Sequence, residues 1–101
     1  MESVNGFFKQ IFKVNGEIVS REIAGETFLV PIRGRLADMQ FIFSLNPVAE
    51  YIWKQLDGRN SLEEIRNLVI EVFDVEKQDA DSDIREFIEE LLKSGLITGV
   101  S

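Results

Sequence analysis

The stretch FIFSLNPVAEYIWKQLDG, residues 41–58, joins an apolar strand to a helix without a spacer. Phe41, Phe43 and Leu45 recur at every second position, which is the spacing of a strand that packs one face on a core. Asn46 is predicted to end this strand, because its side-chain oxygen can accept hydrogen bonds from the first turn of a helix. We therefore expect a strand and a helix that pack as one unit.

The helix is predicted to begin at Pro47, because the N–H that proline lacks would be unpaired in a first helical turn. Its apolar positions recur at helical spacing: Ala49, Ile52, Trp53 and Leu56. The pair Asp57-Gly58 is predicted to end the helix, with Gly58 in the left-handed conformation. Trp53 is then expected to be the largest side chain of this core.

Two further strands are predicted upstream, which gives a three-stranded antiparallel sheet. Residues 18–23 (IVSREI) and 27–31 (TFLVP) have strand composition and flank a tight turn at residues 24–26. Pro31 is predicted to end the second strand, because it has no N–H for the ladder. The third strand is predicted at residues 40–45, and at least one edge of such a sheet is left open.

Two more helices are predicted in the C-terminal half. Ser61 and Glu64 have the spacing of a capping box, in which each side chain satisfies the backbone N–H of the other residue. The third helix is predicted to start between Asp79 and Asp83, where acids suit the positive end of the helix dipole, and to end at Gly95. The residues that it is expected to bury are Ile84, Phe87, Ile88, Leu91 and Leu92.

The first sixteen residues fit a helix and a strand equally well. The apolar positions that create this ambiguity are Phe7, Phe8, Ile11 and Phe12. We treat residues 1–16 as an N-terminal arm and residues 17–101 as the domain. The arm has too many aromatic side chains to leave in water, so we expect it to pack on the domain, on a second copy or on a partner.

Composition narrows the classes of function. The 101 residues suffice for one domain with a modest core. Neither a long apolar run nor a secretion signal is found, so we expect a cytoplasmic protein that does not engage a membrane. Cysteine and histidine are both absent. The chain thus lacks the commonest transition-metal ligand and the commonest general base near neutral pH, and we expect no catalysis, metal or cofactor.

The net charge of −7 lies entirely after Leu45, because the charges of residues 1–45 sum to zero. The third predicted helix has only Arg85 and Lys93 to set against its acids. These acids include Asp81, Asp83, Glu86, Glu89 and Glu90. Such a helix would repel a phosphate backbone, even with Arg33 and Arg35 on a nearby loop, so nucleic acid is not an expected partner.

An apparent calcium motif precedes the third helix. Asp79, Asp81, Asp83 and Glu90 occupy four ligand positions of an EF-hand loop. The position that needs glycine holds Ile84, which belongs to the apolar face of a helix. Helix capping therefore explains the acids better than calcium binding does.

Five segments carry a resemblance to a known family. In chain order they are VSREIAGETFLVP, FSLNPVAEYIW, LDG, SLEEI and FIEELLKSGLI. Over about residues 17–97 their order and spacing resemble the coenzyme PQQ synthesis protein D family, also called the RiPP recognition element. The resemblance implies an α+β winged helix-turn-helix domain, in which a three-stranded antiparallel sheet is followed by three α-helices.

The same resemblance implies a non-catalytic peptide chaperone. Such a protein holds the leader segment of a ribosomally made precursor peptide and presents it to a modifying enzyme, commonly a radical S-adenosylmethionine (radical SAM) enzyme. An open third strand suits this role, because an extended peptide can add to it through backbone hydrogen bonds. The alternative is a protein-interaction or regulatory subunit whose open strand pairs with a second copy, forming a homodimer, or with an enzyme. A DNA-binding regulator is a third alternative.

In the family the peptide lies between the third strand and the third helix. The corresponding positions here are Gln40, Phe41, Ile42, Phe43 and Ser44 on the strand and Ile84, Arg85, Ile88, Glu89 and Leu92 on the helix. Ile42 and Ser44 are expected to face the peptide, because the alternate strand positions serve the core. Ile88 and Leu92 are expected to form an apolar floor, and Arg85 or Glu89 to read charge.

Overall fold

A computed structural model describes residues 2–33 and 43–100 of the chain. The elements, in order, are α1 (Glu2–Lys9), β1 (Ile11–Val14), β2 (Glu17–Ile23), β3 (Glu26–Arg33), β4 (Phe43–Leu45), α2 (Pro47–Lys54), β5 (Asp57–Ser61), α3 (Leu62–Phe73), α4 (Lys77–Lys93) and β6 (Ile97–Gly99). In this part of the chain the strands form two antiparallel three-stranded sheets, ordered β5-β1-β6 and β2-β3-β4. The predicted α+β class with antiparallel strands is present.

The predicted layout of one sheet followed by three helices needs correction. A helix and a strand precede the predicted hairpin, and β5 lies between α2 and α3. The strands that the prediction omitted or left undecided, β1, β5 and β6, form a sheet of their own. Short strands of this kind depend on partners far away in the chain, so local sequence patterns identify them poorly.

Residues 1–16, for which helix and strand were equally compatible, contain one of each. Strand β1 is the middle strand of its sheet, where Lys13 lies opposite both Asp57 of β5 and Thr98 of β6. The side chains of Phe8 and Phe12 are only 8% and 2% exposed. The aromatic side chains of this segment therefore pack on the same chain.

The predicted hairpin is formed by β2 and β3. Its two turn residues, Ala24 and Gly25, both have positive φ, at 54° and 84°, as a turn that matches the twist of the strands requires. Pro31 does not end the second strand, because it lies inside β3, opposite Ile18. The ladder between β2 and β3 shifts register at this point, and such irregularities accommodate proline.

Helix α2 begins where it was predicted to begin. The Asn46 side-chain oxygen accepts a hydrogen bond from the backbone N–H of Ala49 at 2.8 Å. The helix ends at Lys54, however, and the prediction that Gly58 ends it is wrong. Gly58 has a φ of 81° but lies in β5, where the ladder with β1 shifts register. A left-handed glycine thus serves a β-bulge here instead of a helix end.

Helix α3 begins with the predicted capping box. The Glu64 N–H donates to the Ser61 hydroxyl at 3.2 Å, and the Ser61 N–H donates to the Glu64 carboxylate at 2.8 Å. Helix α4 begins at Lys77, ahead of the predicted range 79–83, and its first residue follows Glu76 without a side-chain cap. The acids of the apparent calcium motif therefore lie on a helix, and the described residues contain no cluster of potential metal ligands.

Helices α2, α3 and α4 share one hydrophobic core with both sheets. The largest of its fully buried side chains are Leu29, Ile52, Leu62, Ile65, Val69, Ile84, Ile88, Leu91 and Leu96. Trp53 is also buried, at 7% exposure, in agreement with its predicted place in the core. None of the helices in the described ranges is long and apolar enough to span a membrane.

Candidate functional site

Strand β4 is the terminal strand of the sheet β2-β3-β4 among the described residues. It pairs with β3, so that Phe43 lies opposite Leu29 and Ser44 opposite Phe28. Leu45 is buried, Phe43 is half-buried and Ser44 is exposed. The strand is therefore anchored in the core at its C-terminal end and reaches solvent one residue earlier.

A cleft with a volume of about 410 Å³ lies between this edge of the sheet and helix α4. One wall comes from β4 and the start of α2: Phe43, Ser44, Asn46, Val48, Ala49 and Ile52. The other wall comes from α4: Asp83, Glu86, Phe87 and Glu90. Because these four positions are spaced three and four residues apart, they form one face of the helix. The cleft falls within the size range of ligand-binding pockets.

The wall formed by β4 and α2 depends on residues that are close together in the sequence. The Asn46 cap lets the chain turn from strand to helix within one residue, so the strand and the first turn of α2 line the cleft together. The Thr27 hydroxyl of β3 donates to the Glu50 carboxylate of α2 at 3.3 Å. The Lys54 ammonium lies 3.4 Å from the other oxygen of the same carboxylate. The Thr27 hydrogen bond links α2 to the sheet, whereas the Lys54 ion pair lies within the helix.

The α4 wall of the cleft is negatively charged. Asp83, Glu86 and Glu90 are exposed, and within the described ranges none of them takes part in an ion pair. Arg85 lies on another face of the helix, where its guanidinium carbon is 4.3 Å from the centre of the Phe7 ring, and Lys93 is not among the residues that line the cleft. A ligand in the cleft therefore meets carboxylates on its helix side.

The predicted strand residues fall into two groups. Phe43 and Ser44 line the cleft. Gln40, Phe41 and Ile42 lie outside the described residues, as does the rest of the segment between β3 and β4.

The predicted helix residues do not share one surface. Ile84 and Ile88 are 0% exposed and belong to the core, so their side chains are not open to a ligand in this structure. Arg85 stacks on α1. Glu89 and Leu92 line a shallower hollow that adjoins the cleft through Glu86 and Glu90, which line both.

The sequence analysis did not identify the face of α4 that lines the cleft. The helical period of the apolar residues narrowed that face to one of two flanks. Glu86 and Glu90 were considered as an argument against nucleic-acid binding, and Phe87 was expected to be buried in the core. The helical period of Ile84, Ile88 and Leu91 marks the face of α4 that points into the core. The flank beside that face carries Glu86, Phe87 and Glu90, and it is the flank that β4 faces across the cleft. Which of the two flanks meets β4 depends on the packing of α4.

Comparison with known proteins identifies the family of this chain. The coenzyme PQQ synthesis protein D (PqqD) family matches residues 26–97, well over half of the chain. The chain belongs to the PqqD family. The resemblance inferred from the sequence is therefore confirmed, and the matched region contains both walls of the cleft. Elements α1, β1 and β2 precede it.

A solved structure shares the fold of this PqqD-family chain. It is that of TbiB1 in complex with the TbiA(beta) leader peptide, with 25% sequence identity and a TM-score of 0.68. The similarity covers 88% of this chain and 98% of the TbiB1 chain. No sequence among curated proteins matches the chain.

Proposed function

We propose that this PqqD-family protein binds the leader segment of a ribosomally made precursor peptide and presents it to a modifying enzyme, without catalysing a reaction itself. The observation that supports the proposal is the position of the cleft, between the edge strand β4 and helix α4. An extended peptide placed there would add to β4 through backbone hydrogen bonds and contact α4 with its side chains. The similarity to TbiB1, solved with a leader peptide, supports the same role.

We propose different roles for the predicted site residues. In our proposal Phe43 and Ser44 contact the peptide, together with the α4 residues Asp83, Glu86, Phe87 and Glu90. Gln40, Phe41 and Ile42, which lie outside the described residues, are also proposed to contact the peptide. Glu89 and Leu92 contact the peptide where it runs past the cleft, whereas Ile84 and Ile88 support the wall from inside the core.

Family likeness supplies the remaining elements of the proposal. The modifying partner would be a radical SAM enzyme, and binding would take place in the cytoplasm, where ribosomes make the precursor. Helices α3 and α4 would be the helix-turn-helix and hairpin β2–β3 the wing of the domain.

The direct test is a titration of isotope-labelled protein, followed by amide chemical shifts. The ligands are synthetic leader segments of the short peptides encoded beside its gene. Shifts that concentrate at residues 43–46 and 83–90 would support the proposal. A folded, monomeric sample that shows no shift with any of these peptides would contradict it.

A second measurement tests the strand addition itself. Single N-methyl groups are placed at successive backbone positions of a bound leader peptide, and the dissociation constant of each peptide is measured. An added strand donates its N–H groups to one neighbour at alternate residues, so affinity should fall with a period of two. Equal tolerance at all positions would mean that side chains alone hold the peptide.

The second candidate function, pairing with a second copy of the chain, is favoured by strand β2. This seven-residue strand is the other terminal strand of its sheet, and its last residue, Ile23, is 57% exposed. Such an edge can pair with another edge. Sedimentation velocity would favour this function if the protein formed a concentration-dependent dimer and bound none of the peptides.

A further inference from the structure

The α4 wall of the cleft carries three carboxylates, those of Asp83, Glu86 and Glu90. Among the described residues that line the cleft there is no lysine or arginine to neutralise them, and the nearby Lys93 lines only the adjoining hollow. Elsewhere, acids of the same half of the chain do have partners, since Lys54 pairs with Glu50 and Arg66 bridges to neighbouring acids. The described walls of the cleft therefore carry negative charge that no described lining residue balances.

Spacing along α4 suits an extended chain that lies beside the helix. At 1.5 Å per residue, Glu86 and Glu90 are separated by about 6 Å along the helix axis, and Asp83 and Glu90 by about 10 Å. Side chains on one face of a β-strand are separated by roughly 6.6 Å, which is two residues of about 3.3 Å each. Two alternate side chains of an added strand can therefore reach two successive carboxylates.

Two aromatic rings line the cleft beside the carboxylates. Phe43 lines the cleft from the strand wall, and Phe87 lies between the acidic positions of the helix wall. Both are partly buried and pack against the core. Long basic side chains suit such a surface, because their aliphatic stems can cover the rings while their charged ends reach the carboxylates.

We propose that the cleft selects leader peptides that carry lysine or arginine at alternate positions of the segment added to β4. Glu86 and Glu90 are the principal specificity determinants, and Asp83 receives a further basic residue towards the start of α4. This inference rests on the proposed peptide binding at β4. It goes beyond that proposal by stating which side chains the peptide must carry.

The test is a selection from a display library of short random linear peptides. The wild-type protein is compared with the double variant Glu86→Gln/Glu90→Gln and with the control Glu22→Gln/Glu71→Gln. The control changes the net charge equally, on exposed residues that do not line the cleft. Wild type and control should enrich peptides with lysine or arginine two residues apart, and the cleft variant should lose this enrichment.

The outcomes separate the two proposals. Enrichment of peptides without a basic bias, with strand-type binding intact, would overturn the charge selection and leave leader binding in place. Enrichment of nothing by the folded wild-type protein would count against both. An equal loss of basic peptides by the control variant would mean that overall charge, not the cleft, attracts them.

A selected peptide then provides the quantitative measurement. Its lysines are replaced by glutamine, and both peptides are titrated against both proteins by fluorescence anisotropy. Each exposed ion pair is expected to change affinity roughly two- to five-fold, so two pairs together should change it roughly five- to twenty-fold. The effect should shrink at high salt, and the glutamine peptide should bind wild type and variant equally. Equal salt sensitivity of both peptides would overturn the inference.

Discussion

The guanidinium carbon of Arg85 lies 4.3 Å from the centre of the Phe7 ring. On α3, Arg66 lies over the neighbouring Phe8 ring at 5.3 Å, and the two rings meet edge to face at 5.1 Å. Two cations thus hold the aromatic side of α1 against α3 and α4. The face of α4 that Arg85 occupies does not line the cleft, so one helix anchors the N-terminal segment and offers a separate face to a ligand.

Replacement of Arg85 by methionine should lower stability without changing peptide affinity. The substitution retains an unbranched apolar side chain and removes the cation–π contact, which contributes about 0.5–1 kcal/mol at a partly exposed site. Urea unfolding measures the stability and anisotropy the affinity. The matched control, Arg21→Met on the exposed part of β2, should change stability by less than about 0.5 kcal/mol. A loss of peptide affinity at unchanged stability would instead give Arg85 the charge-reading role that the sequence suggested.

Phe12→Ala should lower the free energy of unfolding by about 3–5 kcal/mol. Phe12 is 2% exposed and lies on the middle strand of its sheet, so its removal leaves a cavity in the shared core. The control is Ile23→Ala on an exposed position of β2, where little change is expected. Denaturant unfolding of both variants measures the difference. A loss below about 1 kcal/mol for Phe12→Ala would indicate that the first sixteen residues are dispensable for the core.

Asn46 caps helix α2 and also lines the cleft. Two substitutions separate these roles. Asn46→Ala removes the hydrogen bond to the Ala49 N–H and should cost about 1 kcal/mol. Asn46→Asp retains an acceptor at the N-terminus of α2 and should preserve stability. Because it adds a carboxylate to the cleft, it should also tighten binding of the lysine peptide but not of its glutamine counterpart. Thermal unfolding and anisotropy measure the two effects, and an identical change for both peptides would argue against charge selection.

Stability should depend on pH through Asp57, although its side chain is exposed. The backbone N–H groups of Asn60 and Arg59 donate to its carboxylate at 3.0 and 2.9 Å, and these hydrogen bonds hold its pKa below the ordinary value of 3.8. A pKa that is lower in the folded state means that the unfolded state binds protons first. The stabilisation is therefore complete above the ordinary carboxyl pKa and is lost as the pH falls through the folded pKa.

The replacement Asp57→Asn should reduce the loss of stability as the pH falls into the acidic range. Near neutral pH, the stability of the variant should change with pH as that of the wild type does. Thermal unfolding across the acidic range measures it, and carboxyl chemical shifts give the pKa directly. Glu71→Gln is the control, because that exposed carboxylate forms no ion pair within the described ranges. An ordinary pKa for Asp57 in the folded protein would contradict the two hydrogen bonds that its carboxylate accepts from the backbone.

Particular residues show how far the sequence could predict the site. Phe43 and Ser44 were found because the alternation of apolar residues and the Asn46 cap together define where the strand runs into the helix. Ile88 was expected to be open to the cleft but is 0% exposed. The helical period of α4 reveals an apolar face, but it does not show how the helix is rotated relative to β4. The face that lines the cleft became visible only once α4 was packed beside β4.

By itself, the sequence determined the elements whose signals are local. The Asn46 cap, the Ser61–Glu64 capping box and the turn at Ala24-Gly25 each depend on residues within a few positions of one another. The cap and the capping box form as predicted, and the turn forms with two residues instead of three, because Glu26 already belongs to β3. The resemblance inferred from the sequence used local signals of this kind in a fixed order, and the family match over residues 26–97 confirms it.

Only the tertiary structure decided which distant segments meet. Lys13 lies between Asp57 and Thr98, residues more than forty positions away from it, and no local pattern specifies such a partnership. The same holds for Gly58, whose left-handed backbone suits a helix end or a β-bulge until β1 pairs with it. The placement of Glu86 and Glu90 across from β4 also depends on packing, because the burial of the neighbouring face of α4 sets the rotation of the helix.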